Sequence, residues 1–195
     1  MSAIVLEVLS NKYCAQCFLS KSKGHIAARD RTIQINSRYI PRNGIELLFV
    51  AESPPWAFVR DKSSYFYSPG RIKYGTLSYN IMATLFGKRF DIKEQFLQKF
   101  MEKFYLIDMV KCPINKLSTN EKKKAIQCCA KYLNEELHGL RFKKAIFMGK
   151  GSFELVRNYI NLNFNYAVIP LPFGSNQNVE NFREGMRKAL KVSSI

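Results

Sequence analysis

Four short apolar runs punctuate the chain: IELLFVA (45–51), FYLIDMV (104–110), KAIFMG (144–149) and YAVIPLP (166–172), each followed by a turn signal. Their length and β-branched content suit buried strands. The first stops at ESPP, whose prolines keep the chain from entering a regular helix at once. Between the runs, apolar positions take on helical spacing over 74–86, 92–104, 119–137, 151–163 and 178–191. In the third of these, Ile126, Cys129, Ala130, Leu133, Leu137 and Leu140 form one apolar stripe, and Ser118 with Glu121 makes a capping box. Residues 1–13 read as a short helix, followed by CAQC and then a basic, loop-like segment, FLSKSKGHIAARDRT (18–32).

Strands alternating with helices predict an α/β fold, a three-layer α/β/α sandwich around a central four-stranded, mostly parallel sheet. The reading is of one domain over 1–195, with the N-terminal Cys-x-x-Cys segment, about 1–40, packed on it. Such sheets bind ligands beyond the C-terminal ends of their strands. The loops after Ala51, Val110, Gly149 and Leu171 are therefore the places where chemistry is expected.

Charge narrows the partners. Lys and Arg number 31 against 15 Asp and Glu, a formal net charge of +16, which is the footprint of a protein that meets polyphosphate. An anionic membrane surface would also suit that charge, but no apolar run approaches the roughly 18 residues of a spanning helix, and no signal-peptide pattern opens the sequence. The expectation is a soluble, cytoplasmic, nucleoid-associated monomer with no membrane partner. Five cysteines, Cys14, Cys17, Cys112, Cys128 and Cys129, are an odd number for a disulfide framework. Metal ligation and ordinary burial both remain open for them.

The order of motifs at the strand ends resembles the uracil-DNA glycosylase superfamily, and most of all its iron–sulfur-containing family 4. Cys14-x-x-Cys17 precedes a hydrophobic strand ending in FVAESPP, where the family has Gly-Glu-Gly-Pro-Gly, so Glu52 falls on the family's glutamate. YGTLSYNIMATLF resembles the helix after the base-stacking aromatic, and YLIDMVKC resembles the family's Tyr-Ile-Thr-Asn-Val-Val-Lys-Cys strand. CAKYL then leads through a helix to AIFMG, and VIPLPFGSN stands where the family has Ile-Pro-x-x-His-Pro-Ser.

The resemblance implies a [4Fe–4S] cluster of structural role on Cys14, Cys17, Cys112 and a fourth thiol. Cys128 keeps the family's usual step from the Lys-Cys cysteine, while Cys129 keeps the following helix and strand in register and is preferred. It also implies a DNA-repair hydrolase that cleaves the N-glycosidic bond of a flipped, deaminated base, uracil or a relative, in damaged DNA. Glu52 would be the catalytic carboxylate. Ser53 and Phe66, the middle ring of YFY (65–67), would bind the base. Phe173 would be a wedge, with Gly174, Ser175 and Asn176 contacting phosphate.

Two residues depart from the family pattern. Asp108 stands at the uracil-reading asparagine, and Phe173 at the loop histidine. An ionised aspartate only accepts hydrogen bonds and repels uracil O4. Asp108 is then protonated by burial, or reads an edge that offers donors, or serves as a second catalytic carboxylate beside Glu52. Loss of a donor to the leaving base costs about two to three orders of magnitude in rate, so altered or weak activity is expected. The alternative is a catalytically inactive iron–sulfur DNA-binding protein of the same fold. His25 and His138, the only histidines, read as surface or structural, and Arg60, Lys62, Arg71 and Lys73 as cations that track a DNA backbone.

Overall fold

The four apolar runs become strands β1 (Ile45–Ala51), β2 (Phe104–Asp108), β3 (Phe142–Met148) and β4 (Tyr166–Ile169) of one sheet, in the order β2-β1-β3-β4 with every pairing parallel. The computed structural model describes residues 12, 14, 16–59, 61, 65–87 and 93–191. Central β1 carries apolar residues on both faces, and Leu48, Phe49 and Val50 are fully buried, as a strand covered on two sides requires. β2 ends at Asp108, two residues sooner than its apolar pattern, and β4 ends at Ile169 because Pro170 has no N–H to continue the ladder.

Helices α1 (Lys23–Arg38), α2 (Leu77–Phe86), α3 (Lys93–Lys103), α4 (Thr119–Gly139), α5 (Lys150–Val156) and α6 (Asn176–Lys191) surround the sheet. Parallel crossovers are right-handed, so reversal of the winding direction at β1 puts α2 and α3 on one face and α4 and α5 on the other. α6 returns to pack against α2 and β4. Gly185 lets it approach closely, since a Cβ there would stand 2.9 Å from Cγ2 of Ile169. This gives the expected α/β/α layering around a parallel sheet.

The Ser118–Glu121 capping box forms with both of its reciprocal hydrogen bonds, and the stripe from Ile126 to Leu140 is buried. α5 stops at Val156, well short of the predicted residue 163. The asparagines of that segment divert the backbone: Asn161 Oδ1 accepts from Asn163 N–H at 3.1 Å, and Asn161 N–H donates to Asn134 Oδ1 at 2.7 Å.

A larger difference is α1, a 16-residue helix that covers most of the segment read as a basic loop. Its buried positions, His25, Ala28, Thr32, Ile33 and Asn36, follow helical spacing, but three of the five are polar. Hydrophobic periodicity therefore carries almost no signal for it. Thr32 satisfies itself by donating to the Ala28 carbonyl at 2.9 Å, and Asn36 finds a partner in a distant tyrosine. The helix expected over 1–13 falls almost wholly outside the described residues, as do Arg60 and Lys62.

Candidate functional site

The sheet order reverses direction at β1, so the crevice between the C-terminal ends of β1 and β3 is the topological switch point. Glu52 is the first residue past β1. Its backbone is held because the β1–β2 ladder continues beyond the strands, Met109 N–H to Ala51 O at 2.7 Å and Val110 N–H to Glu52 O at 3.0 Å. Across the crevice, Gly149 adopts φ +107, a conformation that favours glycine, and α5 begins at the next residue. Ser152 in its first turn donates to the Glu52 carboxylate. The half-buried acid is thus fixed at both backbone and side chain.

Asp108 ends β2 opposite Ala51 and is buried. The Tyr65 hydroxyl lies 2.5 Å from Asp108 Oδ2 and 2.9 Å from Asn36 Oδ1, two acceptors for one proton. With the Asn36 amide turned end for end, its otherwise unpartnered Nδ2 donates to Tyr65, and Tyr65 donates to the carboxylate. With Asp108 protonated, donation runs the other way, from carboxyl to phenol to Asn36 Oδ1. Both arrangements keep Asp108 in one orientation. Burial raises the Tyr65 phenol well above its ordinary value, with the Asp108 charge adding to it.

Burial, only partly offset by Lys111 and by the Tyr65 hydrogen bond, pushes the Asp108 carboxyl up from 3.8 to about 6. A carboxyl that holds its proton more tightly folded than unfolded costs stability as pH climbs from the unfolded value through the folded one. Asp108→Asn should therefore raise the melting temperature at pH 7, with the gap over wild type narrowing as pH falls below 6 towards 3.8. Thermal melts across that range check this. A gap that widens on acidification would mean that the folded protein holds Asp108 ionised throughout.

Glu52, Ser53, Phe66, Asp108 and Phe173 all line one cavity of about 390 Å³, together with Tyr65, Arg71, Asn115 and Leu171. The three rings of YFY are all buried. Tyr67 is fixed to β2 through Leu106, donating to its carbonyl at 3.0 Å and accepting from its N–H at 2.8 Å. Phe66 packs on Phe100 and Tyr67 with ring centroids 5.1 and 5.2 Å apart, and it also borders the cavity. Phe173 is 46% exposed at the rim. Gly174, Ser175 and Asn176 do not line the cavity. They form the exposed start of α6, where Ser175 Oγ accepts from Asn178 N–H at 3.2 Å. His25 is buried and His138 exposed.

A family model described as the Uracil DNA glycosylase superfamily matches residues 38–192. The chain belongs to the uracil-DNA glycosylase superfamily. No curated protein matches it. Among the described residues no helix is long and apolar enough to cross a membrane. The matched span of this superfamily member contains Glu52, Asp108, Phe173, Cys112 and Cys129, whereas Cys14 and Cys17 precede it.

The cysteines of this glycosylase-superfamily chain gather at one place. Cys14, Cys17, Cys112 and Cys129 are buried and Cys128 is exposed. Cys129 hydrogen-bonds Cys14 and feels Cys112 and Cys17, while Cys128 touches Cys17. Among the described residues no three His, Cys, Asp or Glu side chains are arranged as a metal site. Burial pushes Cys17 up to about 11 and Cys112 up to about 12. Cys129 is raised by its Cys14 bond and by burial. These are neutral thiols as they stand, and an all-sulfur donor set of this kind is the one that iron–sulfur clusters take.

Beside them Lys111 is buried, its Nζ 2.5 Å from Glu136 Oε2 and 2.8 Å from the Asp108 carbonyl, with the Tyr132 ring 5.3 Å away. This lysine ties α4 to the end of β2. Sequence reading did not find the Lys111–Glu136 pair, Ser152, or the Tyr65–Asn36 contact. Of these, Lys111 lay in the loop after Val110, Ser152 just past the strand end at Gly149 and Tyr65 in the YFY cluster, all places already singled out, but their partners carried no sequence signal.

Proposed function

We propose that this protein is a DNA glycosylase that hydrolyses the N-glycosidic bond of a flipped, deaminated base, with a base preference shifted away from uracil. The observation that carries this reading is the convergence of Glu52, Phe66, Asp108 and Phe173, widely separated in sequence, on one cavity at the C-terminal edge of the sheet. Its volume falls within the range of small-molecule sites. In the proposed reaction the bond from C1′ of the deoxyribose to the base nitrogen breaks, the base leaves with the bonding electrons, and water adds to C1′. Glu52, held by Ser152, orients that water and takes its proton while its charge stabilises the cationic sugar. Phe66 borders the base and Ser53 faces it from the loop after β1.

Asp108 meets the edge of the base. Ionised, it favours a ring N–H or amino donor and disfavours uracil O4; protonated, it donates. Phe173 supplies no hydrogen bond to the departing base anion, which argues for slow turnover. It sits at the rim as an apolar wedge, and Gly174, Ser175 and Asn176 offer backbone and side-chain contacts to phosphate. Cys14, Cys17, Cys112 and Cys129 would hold a [4Fe–4S] cluster that braces the N-terminal segment and α4 against the β2 end, as in the iron–sulfur family 4. Cys129 is favoured over Cys128 by its burial and its contact with Cys14.

Oligonucleotides carrying uracil, hypoxanthine or xanthine, single- and double-stranded, test the function through abasic-site formation. We expect release of hypoxanthine or xanthine to exceed that of uracil, and Asp108→Asn to raise uracil release. Binding without abasic product from any substrate would instead favour an inactive DNA-binding protein. For the cluster, anaerobically purified protein should be coloured and contain iron, and Cys129→Ala should lose both while Cys128→Ala keeps them. Colourless, iron-free wild type would return the thiols to ordinary core.

A further inference from the structure

A second cleft, of about 550 Å³, adjoins the base cavity and shares Pro55, Arg71 and Asn115 with it. Its remaining wall includes Trp56 and Lys116. Trp56 follows the Glu52 loop directly, in a short 3-10 turn (Trp56–Val59). His25 fixes it edge-on, ring centroids 5.3 Å apart at 70°. That histidine is anchored through Nδ1 to Ser22 Oγ at 2.9 Å, and the Pro113 backbone also lies against it. Burial keeps the imidazole below its ordinary value, so at neutral pH it is an uncharged support.

Lys116 is exposed, yet its ammonium stands over the Trp56 ring, 5.4 Å from the centroid. A cation–π contact holds a lysine without neutralising it. Lys116 has no acidic partner among the described residues, and neither has Arg71 on the shared wall. The one acid on the cleft, Asp61, is already partnered within the chain. Lys116 held over Trp56, Arg71 on the shared wall, neither in an ion pair among the described residues, an exposed amide at Asn115 and continuity with the cavity make a site suited to an anion attached to whatever fills that cavity.

We propose that this cleft is a phosphate subsite for the nucleotide next to the flipped one: Lys116, aimed by Trp56, and Arg71 bind the flanking phosphodiester. This rests on the proposed function, because it takes the neighbouring cavity to hold a nucleotide base.

Trp56 is the only tryptophan of the chain, so its fluorescence reports on the cleft directly. Wild type, Lys116→Gln and Lys116→Arg would be titrated with a single-stranded oligonucleotide bearing a non-cleavable abasic analogue, over a range of salt. Binding should change Trp56 emission. Lys116→Gln should weaken it and lower the slope of log K against log salt by about 0.7, the value for one phosphate on a single strand; Lys116→Arg should restore the slope. Wild-type binding with an unchanged slope in Lys116→Gln and silent Trp56 emission would overturn the subsite alone and leave the glycosylase reading standing. The same emission change with inorganic phosphate at equal concentration would overturn its assignment to a strand. A wild type that bound no oligonucleotide would overturn both.

Discussion

Glu52→Gln should slow base release by about 10²- to 10⁴-fold, the range for loss of a positioned general base. The substitution keeps the shape of the side chain and an acceptor for Ser152, and removes only the charge and the proton-accepting capacity. Affinity for a non-cleavable oligonucleotide should stay within a few-fold of wild type, because in the proposed reaction Glu52 acts on the water and the developing sugar cation rather than on the strand. Ser152→Ala leaves the carboxylate intact but frees it to rotate, so a smaller loss, roughly 10- to 100-fold, is expected. Single-turnover kinetics with saturating protein separates these effects from binding. Full activity in Glu52→Gln would transfer the catalytic carboxylate to Asp108, the other acid lining the cavity.

The second large effect concerns stability. Lys111→Met should cost about 3–5 kcal/mol, because it leaves Glu136 buried without its counter-charge and the Asp108 carbonyl without its donor. Both members of this pair are 1% exposed, so water cannot replace the lost partner. Replacing both, as Lys111→Met with Glu136→Leu, should recover most of the loss, since an apolar pair of similar volume avoids desolvating two charges. Urea unfolding with unchanged m-values would read the difference. A single-variant loss below about 1 kcal/mol would place the pair in the class of weak, solvent-screened ion pairs. The site shares in this stability, because the Asp108 carbonyl accepts from the same lysine whose other partner lies on α4.

Asp108 shows how the surroundings of a carboxyl change its acid–base behaviour. In water its carboxylate would be an ordinary acceptor. At the end of β2, under Tyr65 and over a desolvated lysine, it becomes an acid near neutrality. On the proposed function, the base edge it selects would be set jointly by residue type and by burial.

The strands and most of the helices were legible in the chain because they are local, and their alternation implied a parallel sheet, though not the order of its strands. The Ile126–Leu140 stripe writes the 3.6-residue helical period directly in apolar residues, while IELLFVA, apolar on both faces, is marked as a buried strand by its length, its β-branched content and the turn signal after it. The strand-end rule then located Glu52 and Asp108, and the burial of Cys129 followed from its place on the stripe. What only the tertiary structure decided are contacts between residues with no periodic relation. Ser152 meets Glu52 across 100 positions, Tyr65 meets Asp108 across 43, and Lys111 meets Glu136 across 25. The helix α1 belongs with these, because its buried face is polar and becomes acceptable only when Asn36 reaches Tyr65 and Thr32 its own helix. A buried polar group contributes only when its partner is in place, and no stretch of sequence near it says which partner that will be.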